Sequence, residues 1–321
     1  MTLRRVLPAS VLVMALACAP ASRTEMPVVA WQAPEHVRVQ VEDKGSSAIR
    51  AVPLEDYVAA TILSEFAPAA GVTAEIEQMY EVQAIISRTY GVMHVSRHAR
   101  DGFDLCSTTH CQLYQPGRLR TSRWAEVARM AASRTAGAVV WFGEAPAATL
   151  YHADCGGHTS DASAVWGGRG FPYLAGVEDD GPAEGAHMTW RYTATVDAVR
   201  RALARDPRTR SDGPLEIAVV ERDDAGRATM IALTRNRETR VRAETVREVL
   251  TAAFGPRAIR STRFDVRRDA AGFHFEGRGF GHGVGLCQAG ARARIRAGAT
   301  RSEVLLRYYP GTTIVRLRTA P

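Results

Sequence analysis

Three residues that can bind a metal or act as nucleophile and base lie within one short segment of this sequence, CSTTHC. Cys106, His110 and Cys111 supply two sulfur donors and one imidazole, which are donor types that tetrahedral zinc prefers. From the residues alone, a Cys106–Cys111 disulfide and a Cys–His catalytic pair stay open as alternatives. Neighbouring side chains on an extended chain point apart, which argues against the catalytic pair. A zinc site needs a fourth ligand, and His94 and His98 lie just upstream.

A carboxyl group, Glu65, follows the apolar segment VAATIL and precedes Phe66. A carboxyl in apolar surroundings has a raised pKa, so it can hold a proton near neutral pH and donate it to a leaving oxygen. The alternative is an exposed glutamate at the end of a helix. Glu81, on the next predicted helix, is expected to be exposed or paired with Arg88.

Two later segments have compositions typical of ligand-binding loops. CGGHTSDASAVWGG supplies hydroxyls, including Thr159, and the flat ring of Trp166, and Tyr173 follows it; sugars bind through such hydroxyls and rings. GRGFGHGVGLCQAGA contains His282 and Gln288 in a glycine-rich turn, where the backbone can approach a ligand closely. It lacks the strand–GxxxxGK[ST]–helix pattern, which excludes a P-loop. The alternatives are an ordinary surface loop and a structural turn with a buried histidine.

Hydrophobic patterns predict the elements that position these residues. Residues 37–53 alternate as in a hairpin, residues 54–66 have helical spacing and end near Pro68, and residues 74–98 predict a long helix. The apolar face of the long helix includes Met79, Val82, Ile85, Ile86 and Val92. Further hairpins and helices follow without internal repeats. The chain is therefore predicted to be α+β, with mixed helices and mainly antiparallel sheet.

Composition limits the classes of partner. The 321 residues are 46% hydrophobic and carry a net charge of +7, enough for one large or two modest domains. The basic residues are scattered and not interleaved with aromatic residues, so no nucleic-acid partner is expected.

The N-terminus predicts export. Residues 1–21 contain two arginines, an apolar run and small residues, the layout of a secretory signal too short to span a membrane. Cleavage after Ala21 would release a soluble protein. Cleavage after Ala17 would leave a lipid-modified Cys18 as an anchor, and that anchor is the only contact with a membrane that we expect. Residues 22–36 are predicted to be a linker. The predicted location is the periplasm or cell envelope, where the four other cysteines could form disulfides.

Six segments taken together resemble the SpoIID/LytB family of cell-wall proteins. They occur in family order between about residues 50 and 315. The resemblance implies a SpoIID-like domain over residues 37–321, with a cleft between a core and a smaller subdomain near residues 190–265. The segments are VPLEDYVAATILSEF, EVQAIISRTY, DLCSTTHCQLY, HADCGGHTSDASAVWGG, PYLAGVEDD and GRGFGHGVGLCQAGA.

The resemblance also implies site residues. The family's catalytic carboxylate corresponds to Glu65, although Phe66 and Ala67 depart from the usual residues. Its zinc site of two cysteines and two histidines corresponds to His98, Cys106, His110 and Cys111, and a closed four-ligand site is structural because it leaves no position for water. The cleft positions carried over as substrate-binding are Thr159, Tyr173, His282 and Gln288.

Well-studied members of the family look like lytic transglycosylases that act on peptidoglycan glycan strands, preferably stripped of stem peptides. The resemblance implies cleavage between N-acetylmuramic acid and N-acetylglucosamine to 1,6-anhydro ends, with Glu65 as the single acid and base. The alternative is a non-catalytic glycan-binding enhancer of a cell-wall amidase. A zinc hydrolase of wall peptides and a structural wall-binding lipoprotein are weaker alternatives. Cys155 and Cys287 flank motifs expected to meet at the cleft and could pair as a disulfide.

Overall fold

The computed structural model describes residues 26–43, 45–66, 68, 70–179, 188–210, 215–234 and 238–318. The predicted signal sequence, with Cys18, lies outside the described residues. Within these ranges, no helix combines the length and the apolar character needed to cross a membrane.

Antiparallel pairing predominates among the strands. Seven of the ten strand pairings in the described residues are antiparallel, and three are parallel. The strands are β1 (Val28–Gln32), β2 (His36–Asp43), β3 (Ser46–Pro53), β4 (Leu105–Cys106), β5 (Ala138–Phe142), β6 (Ala145–Pro146), β7 (Tyr151–His152), β8 (Thr189–Ala194), β9 (Glu216–Arg222), β10 (Ala228–Thr234), β11 (Glu238–Arg242), β12 (Phe264–Asp269), β13 (Gly272–Arg278), β14 (Leu286–Cys287) and β15 (Thr313–Arg318).

Helices are interspersed with these strands, and the predicted α+β class is confirmed. The helices are α1 (Leu54–Glu65), α2 (Thr73–Met93), α3 (Arg118–Thr121), α4 (Ala125–Arg134), α5 (Ala162–Trp166), α6 (Val196–Leu203), α7 (Ala243–Phe254), α8 (Gln288–Arg296) and α9 (Arg301–Tyr308), with 3₁₀ turns at Ala99–Asp101 and Pro172–Leu174.

The predicted N-terminal hairpin forms as β2 and β3, with His36 opposite Pro53. Strand β4 adds to β2 in parallel, so Cys106 pairs with Gln40. The start of the cysteine segment is therefore part of a sheet, which gives its side chains a fixed direction.

Helix α2 is buried on more than the one face that its sequence predicts. Met79 and Ile86 pack in a core with α8 and α9. Tyr80, Ala84 and Val92 pack in a different core with α1 and the hairpin. The prediction that Val92 shares a face with Met79 was wrong, because α2 runs between two cores and is buried on all sides from Met79 to Val92.

Arg88, on α2, is fully buried and forms an ion pair with Glu55 of α1, at 2.5 Å between Nη2 and Oε2. The pairing predicted between Arg88 and Glu81 is thus wrong. Glu81 instead pairs with Arg301 and lies 3.7 Å from Arg134. Helix packing directs Arg88 towards α1 and Glu81 towards α9.

The described part of the predicted linker, residues 22–36, contains a strand. β1 pairs in parallel with β15 at the other end of the chain, with Val28 opposite Arg316. The linker prediction is wrong for residues 28–32. Without β1, the edge of β15 would leave backbone N–H and C=O groups unpaired, and a strand can pair with such an edge whatever its side chains are.

A third hydrophobic core extends from Trp190 to Phe275. It is built from α6, α7 and two three-stranded sheets, β11–β10–β9 and β12–β13–β8. The boundary predicted for the smaller subdomain, residues 190–265, leaves out β13, which is the middle strand of its sheet. Buried Arg227 connects this unit to the core that contains Met79 and Ile86. It donates to the carbonyl of Cys155 at 2.8 Å.

Candidate functional site

Glu65 is the last residue of α1 and is partly exposed. Its Oε1 atom accepts a 2.6 Å hydrogen bond from the backbone N–H of Leu113. Burial raises the pKa of Glu65, and the Leu113 N–H and the neighbouring Tyr151 hydroxyl oppose that shift only in part. The carboxyl therefore keeps its proton to a higher pH than an ordinary glutamate, as a general acid requires.

A buried hydrogen bond connects the loop that contains Leu113 to α1. The hydroxyl of Tyr57, on α1, donates to Oε1 of Gln112 at 3.0 Å. Gln112 and Leu113 directly follow Cys111 in the chain, so the cysteine segment and the carboxyl of Glu65 are mechanically connected.

Four potential metal ligands converge at the other end of this loop. One donor atom each from His98, Cys106, His110 and Cys111 lies within 4.8 Å of the others. The Cys111 sulfur is 3.4 Å from Nε2 of His98 and 3.8 Å from Nδ1 of His110, and Cys106 is 3.7 Å from the same His110 atom. Two sulfurs and two imidazoles at this spacing fit a tetrahedral zinc ion.

The structure distinguishes between the two upstream histidines. His98 reaches the cysteines, because the chain turns back on itself after α2. His94 is directed elsewhere: its ring stacks on Tyr90 with centroids 4.0 Å apart, and its Nδ1 lies 2.9 Å from the Tyr90 carbonyl.

Gln288, the first residue of α8, connects the glycine-rich segment to the acid. Its amide nitrogen donates to Oε1 of Gln83 at 2.9 Å and lies 3.4 Å from the backbone oxygen of Glu65. Gln83 was missed by the sequence analysis. The available signal was a polar residue within the apolar stretch of α2.

His282 is a neutral imidazole that contacts the backbone of Tyr151 and Val284. Nε2 donates to the Tyr151 carbonyl at 3.0 Å, and Nδ1 accepts the N–H of Val284 at 3.1 Å. Burial lowers the pKa of His282 to about 4. The Trp166 ring lies 5.2 Å from the His282 ring and is 40% exposed, so the indole presents an exposed flat surface next to the partly exposed His282.

Thr159 and Tyr173 are both buried. The Thr159 hydroxyl accepts the N–H of Val177 at 2.8 Å, and the Tyr173 hydroxyl accepts the N–H of Ala148 at 2.9 Å. In this structure they shape the loops, whereas Phe171 and Trp166 are the exposed rings nearby.

Tyr151, on β7, is a second residue that the sequence analysis missed. Its hydroxyl is buried beside Glu65 although the residue as a whole is partly exposed, and burial raises its pKa well above the ordinary tyrosine value. The hydroxyl therefore stays protonated and available as a hydrogen-bond donor next to the acid. Its position directly before the HADCGG motif was the signal.

Cys155 and Cys287 are brought together as predicted, but both are free thiols in the structure. The Cys155 N–H donates to the Cys287 sulfur at 3.2 Å. The disulfide that the sequence left open between them is not formed here.

Two family models match the chain. One described as Stage II sporulation protein, SpoIID, matches residues 42–142, and one described as a domain of unknown function, DUF8618, matches residues 183–285. The first match contains Glu65 and the four clustered metal ligands, and the second covers the third core.

Several curated proteins are similar to this chain. An uncharacterised protein of Brachyspira hyodysenteriae is 29% identical over 263 residues, which cover 82% of this chain and 66% of that protein. Stage II sporulation protein D of Bacillus subtilis is 24% identical over 289 residues, covering 87% and 79%. The Amidase enhancer of Bacillus subtilis is 23% identical over 276 residues, covering 73% and 37%. The chain thus spans just under two thirds of the first relative and about a third of the Amidase enhancer.

Proposed function

The chain belongs to the SpoIID/LytB family, and from that premise we propose that it is a peptidoglycan lytic transglycosylase with Glu65 as its single acid and base. The environment of the Glu65 carboxyl carries the proposal. The Glu65 carboxyl is accessible at the end of α1, its pKa is raised by burial, and one of its oxygens is already held by the Leu113 N–H. Because Oε1 accepts that bond, Oε2 is the oxygen that carries the transferable proton.

The proposed reaction has two proton transfers. Glu65 donates its proton to the oxygen between N-acetylmuramic acid and N-acetylglucosamine as the bond from that oxygen to C1 breaks. The C6 hydroxyl of the muramic acid then attacks C1 and gives its proton to the Glu65 carboxylate. The product is a 1,6-anhydro end, no water is consumed, and the acid is regenerated. Such general acid–base help contributes about 10²–10⁴-fold in rate.

The surroundings of Glu65 support a mechanism with one carboxyl group. Hydrolytic glycosidases use two carboxylates that flank the bond. The other acidic candidate, Glu81, is nearly buried and pairs with Arg301, so it is committed to joining α2 to α9. The Tyr151 hydroxyl and the Gln288 amide are the neutral groups at the acid.

His98, Cys106, His110 and Cys111 would hold a zinc ion. With four protein ligands, zinc would act as a clamp on the loop and supply no nucleophile. The loop that these four residues clamp would then hold the Leu113 N–H against Glu65.

The test uses purified residues 22–321 and glycan strands with and without stem peptides, with products identified by mass spectrometry. We expect 1,6-anhydro-muramic ends from peptide-free strands, and none with Glu65→Gln. Reducing ends in place of anhydro ends would show hydrolysis and reject the mechanism.

The second candidate is a non-catalytic enhancer of a cell-wall amidase that binds glycan strands. The similarity to the Amidase enhancer favours it. Retained glycan binding without cleavage, together with faster turnover by an added amidase, would support this candidate and reject the first.

The proposed location is the cell envelope. A lipid anchor at Cys18 would be detected by labelling with a fatty acid, and Cys18→Ala should abolish the label. Label retained in that variant would place any anchor elsewhere.

A further inference from the structure

A second group of metal-ligand side chains lies apart from the CSTTHC segment. Donor atoms of His152, Cys155 and Cys287 fall within 4.8 Å of one another, and all three residues are buried. Strands β7 and β14 pair in parallel with His152 opposite Cys287, which explains how residues so distant in sequence meet. We propose that this group is a second zinc site, independent of the proposed catalytic function.

Backbone N–H groups are directed at the two sulfurs. Cys287 Sγ accepts the N–H groups of Cys155 and Gly290, at 3.2 and 3.3 Å. Cys155 Sγ accepts the N–H of Gly157 at 3.3 Å. Cys287 is also the N-cap of the nine-residue helix α8, whose positive end stabilises a negative charge. Both sulfurs thus accept backbone N–H groups, and the Cys155 thiol also donates to Oδ2 of Asp179 at 3.2 Å, a proton that must leave when an ion binds.

The His152 imidazole has a backbone partner on one of its two ring nitrogens. Nδ1 of His152 lies 3.2 Å from the carbonyl oxygen of Val284. Donation of the Nδ1 proton to that carbonyl selects the tautomer whose lone pair is on Nε2. Ligating histidines commonly have such a partner on the second ring nitrogen.

Asp179 lies beside this group, although its carboxylate is not among the donor atoms within 4.8 Å of one another. Its Oδ2 accepts from the Cys155 thiol at 3.2 Å, and its Oδ1 accepts from the Tyr308 hydroxyl at 2.7 Å and from Arg294 at 3.0 Å. Two sulfurs and one imidazole suit zinc, which commonly takes three protein ligands and a fourth ligand from water.

Two arginines supply positive charge beside the sulfurs. Arg294 pairs with Asp179 at 3.0 Å, and the buried Arg227 donates to the Cys155 carbonyl at 2.8 Å. When zinc binds, both thiols release their protons to solvent, as thiolate ligation requires.

Zinc here would tie the end of β7 to the start of α8. Gln288, the residue after Cys287, contacts the backbone of Glu65. The second ion would therefore stabilise the start of α8, where Gln288 contacts the residue that carries the acid.

Metal analysis of the full chain, purified anaerobically without chelators, tests this inference. We expect two zinc ions per chain by elemental mass spectrometry. Cys155→Ser/Cys287→Ser should lose one, and the matched Cys106→Ser/Cys111→Ser variant should lose the other, with circular dichroism reporting the fold. In the second variant, Co²⁺ should give the intense visible bands of a tetrahedral thiolate site. If the first double variant does not fold, His152→Gln keeps both thiols and should also bind less zinc.

Three results would overturn the inference. The first is a wild-type chain with one zinc ion that is entirely lost in Cys106→Ser/Cys111→Ser. The second is a folded Cys155→Ser/Cys287→Ser chain with undiminished zinc. The third is a Cys155–Cys287 disulfide, seen as resistance of both residues to alkylation in denaturant without reductant.

Discussion

The backbone N–H of Leu113 donates a 2.6 Å hydrogen bond to Oε1 of Glu65, across a separation of 48 residues. Leu113 lies two residues beyond Cys111, one of the clustered metal ligands. Whatever orders the cysteine loop therefore also orders the acid.

Glu65→Gln should reduce cleavage of peptide-free glycan strands by at least about 10²-fold, the lower range for losing a general acid. The amide oxygen of glutamine can still accept the Leu113 N–H, so the unfolding midpoint should remain close to wild type. Glu144→Gln, at an exposed position, is the charge-matched control and should retain full activity. Wild-type turnover by Glu65→Gln would assign the acid elsewhere.

Activity should decrease as pH rises through the raised pKa of Glu65, because the first step needs the protonated form. Burial is the main cause of that raised pKa. Since the folded pKa exceeds the unfolded one, the contribution of this group to stability is fully present below the unfolded pKa and is lost as pH rises through the folded pKa. Profiles of kcat and of unfolding free energy against pH, for wild type and Glu65→Gln, measure both effects. Identical stability profiles would contradict the assignment.

Cys111→Ser should abolish zinc binding at the first cluster, lower the melting temperature and decrease glycan cleavage. The physical reason is a loosened loop that no longer holds Leu113 against Glu65. Wild type treated with a chelator should behave in the same way. Full activity in a chain shown to lack this zinc would contradict the connection between loop and acid.

Gly285→Ala should destabilise the fold far more than Gly298→Ala. Both glycines have positive φ, +71° and +96°, so alanine introduces strain of roughly 1–2 kcal/mol at either position. At Gly285 a Cβ would also collide with the backbone oxygen of Leu150, whereas none of the described atoms lies within 4 Å at Gly298. Overpacking should add about 1–3 kcal/mol at Gly285. Equal unfolding free energies in urea would contradict this account.

Glu55→Gln should destabilise the chain by about 3 kcal/mol, the lower end for removing one partner of a buried ion pair. Arg88 is completely buried, while Glu55 is 38% exposed, so the loss comes mainly from a buried guanidinium charge that keeps its bonds to the Ala132 and Ala138 carbonyls but lacks an opposite charge. Asp197→Asn breaks the exposed pair with Arg200 and should change stability little. Similar values from urea unfolding for the two variants would reject the role of the buried pair.

Local patterns in the sequence were sufficient for much of the architecture. Alternation over residues 37–53 predicted the β2–β3 hairpin, and helical spacing over residues 54–66 predicted α1, which ends at Glu65. These features depend on neighbours within one or two turns, which the sequence contains explicitly. Residue chemistry likewise identified Cys106, His110 and Cys111 as potential ligands.

Only the tertiary structure decided which distant groups meet. The spacing of His94 and His98 gave no reason to choose between them, but the turn after α2 directs His98 to the cysteines. The apolar pattern of α2 could not indicate that Arg88 faces Glu55 and Glu81 faces Arg301. Nor could the composition of residues 22–36 predict that β1 would pair with β15. Side-chain types and periods are local properties, whereas partners depend on how elements pack across the whole chain, and the Leu113–Glu65 bond and the His152–Cys155–Cys287 group exist only at that level.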